Sequence, residues 1–245
     1  MISRAAVLAL SAALALIHPP GLGAEEIARV IGVAIDKSEL SAAVEGPVAE
    51  LGRLYDRVWT AVSKHYIEQH GLGATREEIS DVQGYEREFE RRDRAQRARK
   101  LEELDRQLAD GKLEPAERAR AEEFRAVLGR LAQGDLERDR VPPPDPERQA
   151  EQQVLWIESW KMNRAMHAQF GGVVALTRFG PFPHGARLAL LEDYERRGLL
   201  QFSDAQLRER LFALLSTRPG MTLAPGEVDF TPYWKKPIPP SYFPD

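Results

Sequence analysis

The loop at residues 178–187, RFGPFPHGAR, holds the residues of this sequence best suited to chemistry on an anion. Arg178, His184 and Arg187 together offer two guanidinium groups and an imidazole, and guanidinium groups pair with carboxylates and phosphates. His184 would also serve as a general base, because imidazole titrates near neutral pH. Gly-Pro and Pro-x-Gly segments more often shape a tight connection. We therefore favour a structural loop, with an anion site or alternative active site at these three residues as the other interpretation.

A second candidate site is the helix predicted for residues 147–170. It carries a series of large apolar side chains: Trp156, Trp160, Met162, Met166 and Phe170. These side chains cover more than one helical face, so the helix is either central to a core or partly open to an apolar ligand. Aromatic and Met side chains adapt to varied peptide partners. We hypothesise that these five residues bind polypeptide segments, and burial in the protein's own core is the alternative.

Motifs for metal, cofactor or nucleophilic chemistry are missing from the sequence. The chain contains no Cys, which excludes thiolate zinc sites. His65 and His70 would point away from each other on a helix, and His65 with Glu68 fits a surface pair. The sequence has no Gly-x-Ser-x-Gly elbow, no phosphate-binding glycine loop and no dinucleotide fingerprint. We therefore predict no metal and no cofactor, and the sequence identifies no catalytic residue.

Residues 1–24 have the pattern of a cleaved signal peptide. Arg4 precedes an apolar stretch from Ala5 to Ile17, and the small residues of GLGA follow. Pro19 and Pro20 end that stretch before the roughly 18 apolar residues that a membrane span requires. An exported chain without Cys fits a bacterial periplasm better than a disulfide-rich niche. We predict a periplasmic or secreted protein with no transmembrane anchor.

The charge of the chain is nearly balanced. It has 34 Lys and Arg against 38 Asp and Glu, for a net charge of −4. A nucleic-acid-binding protein would instead carry a clear basic excess or patch. We predict no nucleic-acid partner, and the sequence does not define an oligomeric state.

The pattern of the remaining chain predicts five segments. They are an N-terminal segment at 25–84, a charged helical hairpin at 85–140, a Pro-rich linker at 141–146, a helical segment at 147–227 that completes the core, and an extended Pro- and aromatic-rich tail at 228–245. Apolar residues spaced three and four apart predict a helix over 48–69, and a Thr75–Glu78 capping box begins the next helix. We expect the hairpin charges to be solvated and paired, and the tail to pack on its own chain.

Two stretches resemble SurA-type periplasmic chaperones and the related parvulin-type prolyl isomerases. VIGVAIDKSEL, residues 30–40, is similar to the family's N-terminal strand, Asn-Gly turn and capped Glu-Leu helix. The matching residues are Val30, Gly32, Ile35, Glu39 and Leu40, and Ile31 stands where the family has Asn. YIEQHGLGATREEISD, residues 66–81, is similar to the next element, a helix ending in Gly followed by a Thr-capped helix.

The resemblance implies a mainly α, SurA-N-like helical domain with a minor two-stranded β clasp. In that family the N-terminal strand pairs with a later one, and VVALTRF, residues 173–179, is the candidate here. The family's isomerase module requires a His-Ile-Leu-type strand and a Gly-Gly-Asp-Leu-Gly-type segment, and neither occurs between 141 and 245. The resemblance therefore implies a chaperone-like protein for unfolded or extended polypeptides, without isomerase activity. The alternatives are an enzyme that uses loop 178–187 and a scaffold whose charged hairpin docks a partner.

Overall fold

The computed structural model describes residues 25–40, 46–142, 145–217 and 219–240. Within these ranges the protein is mainly helical with two small antiparallel sheets, which confirms the predicted mainly α class. The predicted signal peptide at 1–24, part of the predicted linker at 143–144, and the last five residues of the tail lie outside the described residues.

The described part of the chain contains seven α-helices and five strands. The helices are α1 Lys37–Leu40, α2 Pro47–Gln69, α3 Arg76–Ala109, α4 Pro115–Arg140, α5 Pro146–Phe170, α6 His184–Arg196 and α7 Ala205–Leu215. The strands are β1 Glu26–Val30, β2 Val33–Asp36, β3 Ala175–Thr177, β4 Gly180–Phe182 and β5 Leu200–Phe202. Single 3-10 turns occupy Pro225–Glu227 and Tyr233–Lys235.

Side-chain caps mark the first turns of α3 and α7, and the cap of α3 is the capping box that the sequence predicted. At the start of α3, the Glu78 amide donates to Thr75 Oγ1 over 3.2 Å and the Thr75 amide donates to Glu78 Oε2 over 2.8 Å. This is the reciprocal capping box that satisfies two otherwise unpaired amides. Asp204 caps α7 by accepting from the Leu207 amide over 3.0 Å. Each capping side chain fixes where its helix begins.

β1 is the central strand of a three-stranded sheet, so it does pair with a strand late in the chain, but the predicted number of strands and the predicted partner segment are wrong. β2 lies on one edge of β1 and β5 on the other, where Val30 is opposite Leu200. The predicted partner segment, 173–179, supplies β3 instead, and β3 pairs with β4 in a separate hairpin. β5 has three residues, too few to show the period-two pattern of a strand. β5 pairs with β1 because of where the chain runs between α6 and α7, which is a tertiary feature and not a local sequence pattern.

The main core lies between the three-stranded sheet and helices α2, α5, α6 and α7. Its fully buried members include Leu54, Val58, Val62, Met166, Leu190, Leu191, Tyr194, Leu200 and Leu211. On α2 the three-and-four spacing predicted this face correctly from Leu51 onward, whereas Val48 is exposed. The core therefore joins the N-terminal segment to the segment after α4.

α3 and α4 form the charged helical hairpin. α3 is one continuous helix of 34 residues, so the predicted boundary at 84/85 falls inside it. The first part of α3 packs against α5, and its later part packs against α4, where Leu104 and Leu128 are buried. Many exposed charges pair along one helix: hydrogen bonds from Arg91 and Arg92 lower the pKa of Glu88 to about 2. The hairpin charges are thus solvated and largely paired.

Residues 228–240, which we call the strap, cross α3 and α5. Trp234 is only 8% exposed and packs with Val82 and Ile157 in a second, smaller apolar cluster. Lys235 Nζ lies 2.5 Å from Asp81 Oδ2 on α3. The prediction that the tail packs on its own chain is confirmed for these residues, and the strap ties the base of the hairpin to α5.

Candidate functional site

Helix α5 divides the five predicted peptide-binding residues between the interior and the surface. Met162 and Met166 are buried in the main core, and Phe170 is half-buried against it. The two Met side chains therefore follow the alternative interpretation, burial in the protein's own core, and Phe170 leaves only part of its surface for a ligand. Trp156 and Trp160, one helical turn apart, face away from the main core.

The two Trp side chains line a groove of about 480 Å³ that we call the aromatic groove. Its walls come from α3, α5, the β3–β4 hairpin and the strap. The lining residues are Glu86, Trp156, Trp160, Arg178, Phe179, Gly180, Pro181, Thr231, Tyr233 and Lys236. Four separate parts of the chain therefore build one concave aromatic surface.

The outer end of the aromatic groove is formed by Trp156 and Phe179. Their ring centroids lie 5.2 Å apart, and the two residues are 40% and 55% exposed. Phe179 is at the tip of the β3–β4 hairpin, where its amide donates to Thr177 Oγ1 over 3.2 Å. Arg178 Cζ lies 4.5 Å from the Phe179 ring centroid. Two large aromatic rings and a cation are thus presented to solvent side by side.

The inner end of the groove is occupied by the strap. Trp160 Nε1 donates to the backbone oxygen of Phe230 over 2.6 Å, and its ring lies 5.9 Å from that of Trp234. The Tyr233 hydroxyl donates to Glu86 Oε1 over 3.3 Å, and burial followed by the charge of Glu86 raises the pKa of Tyr233 to about 12. Tyr233 therefore stays a neutral donor at physiological pH.

The two cations at the rim of the groove, Lys236 and Arg178, differ in whether a carboxylate forms an ion pair with them. Lys236 Nζ lies 2.8 Å from Asp229 Oδ2, and the hydrogen bond from Lys236 lowers the pKa of Asp229. Arg178 has no carboxylate within ion-pair distance among the described residues. Arg178 is therefore the cation of the groove without a direct carboxylate partner, although the Glu86 carboxylate lines the same groove.

A second concavity, which we call the Arg187 cavity, lies between α2, α6 and the end of α7. It has a volume of about 230 Å³ and is lined by Tyr55, Phe182, His184, Arg187, Leu188, Leu191 and Leu215. The Arg187 guanidinium carbon lies 3.6 Å from the Trp59 ring centroid and 4.5 Å from that of Phe182. Burial lowers the pKa of Arg187, although an Arg side chain stays protonated in proteins. A cation is therefore held against aromatic faces in a mostly apolar cavity.

Two nitrogen atoms of this cavity lack hydrogen-bond partners. Arg187 Nε and His184 Nε2 are both buried, and neither has an acceptor or donor within reach among the described residues. Buried polar atoms in native proteins are usually paired, so such atoms call for an explanation.

A close backbone crossing sets the position of His184. The chain after α5 passes the first turn of α6 at Gly172 and Gly185, where a Cβ on Gly185 would lie 2.7 Å from the Val173 nitrogen. The Gly185 amide donates to the Val173 oxygen over 2.9 Å. Only glycine permits this approach, so the Gly residues of the loop serve the structural role that its sequence predicted.

The structure separates the three residues of the predicted anion site. His184 and Arg187 line the same cavity, whereas Arg178 lies at the aromatic groove. Arg187 lies over the rings of Tyr55 and Trp59 on α2. The sequence alone did not identify these two aromatic residues as site residues, and their spacing of one helical turn is the only local signal for them. Nor did the sequence identify Phe179 as the partner of Trp156, because their contact joins segments that are distant in the sequence.

Other candidate chemistry does not assemble in the described residues. His65, predicted to form a surface pair with Glu68, instead places Nδ1 2.8 Å from the Tyr194 hydroxyl. The described ranges hold no group of three or more His, Asp or Glu positioned to bind a metal ion. Among the helices in those ranges, none is both long enough and apolar enough to span a bilayer.

Comparisons of the chain with models of protein families, with curated proteins and with solved structures found no match.

Proposed function

We propose that the protein binds extended polypeptide segments with apolar or aromatic side chains in the aromatic groove. The chaperone-like role implied by the resemblance to SurA-type proteins agrees with this proposal. Of the five residues first suggested, the proposal keeps Trp156 and Trp160, and it adds Phe179 and Arg178.

The observation that carries the proposal is the way in which α5 holds the strap. The strap is an extended, proline- and aromatic-rich segment, and Trp160 donates its indole N–H to a backbone oxygen of that segment. Trp156 lies one turn earlier on the same helix, about 6 Å away along its axis. Its indole N–H has no acceptor among the described residues, and the residue is 40% exposed. The groove thus offers a second peptide-type contact beside one that the chain itself already uses.

The composition of the groove suits an extended ligand. Aromatic rings with N–H donors recognise extended, proline-containing segments, because such segments present backbone oxygens and lose little entropy when bound. Trp156 and Phe179 supply apolar area, and Arg178 supplies a charge for an acidic side chain or a backbone oxygen. Aromatic residues in such surfaces dominate binding energy.

The geometry favours this function over an enzyme that uses loop 178–187. Catalysis there would need Arg178, His184 or Arg187 to meet a carboxylate in one concavity. Arg178 lines the aromatic groove together with Glu86, but that carboxylate already accepts hydrogen bonds from Tyr233 and Gln153, and the described lining of the groove contains no His. His184 and Arg187 lie in the other concavity, whose described lining contains no carboxylate.

The proposal is tested by binding of a fluorescently labelled polypeptide that has been reduced and alkylated so that it stays unfolded. Trp156→Ala should weaken binding by about tenfold or more, as expected for an aromatic anchor. Phe179→Ala should weaken it in the same direction. Trp156→Phe, which keeps a ring and loses the N–H, should give an intermediate affinity.

Leu155→Ala is the matched control. Leu155 is adjacent to Trp156 on α5 and is 68% exposed, but it does not line the aromatic groove. Its replacement should leave the affinity within about twofold, because exposed residues outside a binding surface contribute little. Equal affinities for Trp156→Ala and Leu155→Ala, measured by fluorescence anisotropy, would show that the groove is not the binding site.

A further inference from the structure

We propose that the Arg187 cavity binds a small carboxylate with an apolar body. The cavity shares no lining residue with the aromatic groove, so this inference is independent of the polypeptide-binding function.

The first argument is the uncompensated charge of Arg187. No carboxylate of the described residues forms an ion pair with it, and its Nε is buried without an acceptor. Charged groups removed from water are normally paired, because their loss of hydration is otherwise uncompensated. His184 Nε2 is a second buried and unpaired nitrogen in the same cavity. His184 and Arg187 thus both line the cavity and both have unsatisfied polar atoms, and the guanidinium group of Arg187 is the charge with which an incoming anion would pair.

The second argument is the orientation of the guanidinium group. Trp59 and Phe182 lie 3.6 and 4.5 Å from its carbon, where aromatic faces stabilise a cation. Stacking on rings leaves the N–H groups at the edge of the guanidinium plane. A planar carboxylate matches that edge with two parallel hydrogen bonds.

The third argument is the character of the remaining lining. Leu188, Leu191 and Leu215 make the rest of the cavity apolar, together with the ring of Tyr55. Such walls would leave most oxygens of a sulfate or phosphate unsatisfied, whereas they suit a hydrocarbon group. At about 30 Å³ for each water-sized group, the volume of about 230 Å³ holds roughly seven such groups. A branched carboxylic acid such as 3-methylbutanoate has this size and this division into a charged end and an apolar body.

The experiment follows the Arg187 Nε–H resonance by NMR in the full chain during titration with 3-methylbutanoate. The isosteric neutral amide, 3-methylbutanamide, is titrated in parallel. We expect the acid to shift the resonance in a saturable way at millimolar concentration and the amide to leave it unchanged. No response to either compound, or an equal response to both, would overturn the proposal without any variant being needed.

The same chemistry occurs at the C-terminus of a polypeptide, so the titration includes two short peptides that end in Leu. One has a free C-terminal carboxylate and the other has an amidated C-terminus. A response to the free peptide but not to the amidated one would identify a polypeptide C-terminus as a ligand source. A response to 3-methylbutanoate alone would identify a free carboxylic acid.

Arg187→Met removes the charge and keeps an apolar side chain of similar length. Binding of 3-methylbutanoate, followed by calorimetry, should weaken by about tenfold or more, because a hydrogen-bonded ion pair is lost. Arg197→Met is the control: Arg197 also lies over a ring, 5.4 Å from that of Tyr194, but it already pairs with Asp193. Arg197→Met should leave binding unchanged, and equal weakening in both variants would contradict the assigned site.

Discussion

At the scale of single residues, Ile31 has a backbone conformation that few β-branched residues adopt. Its φ is +51° and that of Gly32 is +79°, and together they make the tight turn between β1 and β2. The left-handed region disfavours side chains branched at Cβ, while Asn and Gly tolerate it. Ile31 also packs partly against the main core, and its amide donates to the Leu199 oxygen over 2.7 Å. Packing and turn geometry therefore make opposite demands on this residue.

A pair of substitutions at Ile31 separates these two demands. Ile31→Asn and Ile31→Ala both lose the core contact, but only Asn accommodates the left-handed conformation easily. We expect the Asn variant to be about 1 kcal/mol more stable than the Ala variant in chemical unfolding. Val33→Asn and Val33→Ala are the control pair, because Val33 is exposed and lies in strand β2. There Asn should show no advantage over Ala; an equal effect at both positions would contradict the role of the turn.

At the scale of the elements, a buried ion-pair network joins the two helices of the charged hairpin. Arg97 is 7% exposed, and its guanidinium lies 2.8 Å from Asp93 on α3 and 2.9 Å from Asp135 on α4. Asp135 is also buried and has a further partner in Arg138. A buried pair contributes little net stability, but removing one partner leaves a charge that is costly to bury. The network therefore restricts how α3 and α4 align.

Substitutions at Arg97 and Asp135 test this restriction. Arg97→Met should lower the free energy of unfolding of the hairpin by about 2 kcal/mol. This loss is smaller than for a buried carboxylate with no partner at all, because Arg138 still pairs with Asp135. Adding Asp135→Leu should recover most of the loss, since no unpaired carboxylate then stays buried. Urea unfolding followed by helical circular dichroism measures both effects.

Arg125 provides the control within the same hairpin. It pairs with Asp105 across α3 and α4, but both side chains are about half exposed. Arg125→Met should therefore change the unfolding free energy by less than about 1 kcal/mol. If the double variant Arg97→Met, Asp135→Leu had the same free energy of unfolding as Arg97→Met alone, the cost of the single substitution would not come from a buried unpaired charge.

The elements that the sequence predicted well are those with long periodic patterns and clear ends. α2 has three-and-four spacing over many residues, α3 begins at a Thr–Glu capping box, and α5 is a long run of helix-forming residues between the Pro-rich linker and Gly171. β5 was missed because three residues show no period, and the partner of β1 was therefore assigned to the wrong segment. The candidate sites were only partly predictable for a related reason. Local sequence identified Trp156 and Arg187, whereas their partners Phe179 and Trp59 reach them through tertiary packing.

At the scale of the whole molecule, two apolar clusters are arranged along α5. Met162 and Met166, on its C-terminal half, belong to the main core with the three-stranded sheet. Ile157, nearer its N-terminus, belongs to the smaller cluster with Val82 of α3 and Trp234 of the strap. The strap thus completes the second cluster and also forms one wall of the aromatic groove, through Thr231, Tyr233 and Lys236. The strap is a structural part of the proposed binding surface, not a separable lid over it.

Truncation after Glu227 tests this dual role of the strap. Loss of Trp234 uncovers Val82 and Ile157, so the truncated protein should bind more of a hydrophobic dye and lose about 3 kcal/mol of stability or more. Binding of the unfolded polypeptide should fall, because one wall of the groove is gone.

Trp234→Ala separates the loss of stability from the loss of binding. Trp234 does not line the aromatic groove, so this variant should destabilise the protein while keeping most of the polypeptide affinity. A truncated protein with unchanged dye binding and melting temperature would show that the strap does not pack. One that binds the polypeptide more tightly would show that the strap competes with it for the groove.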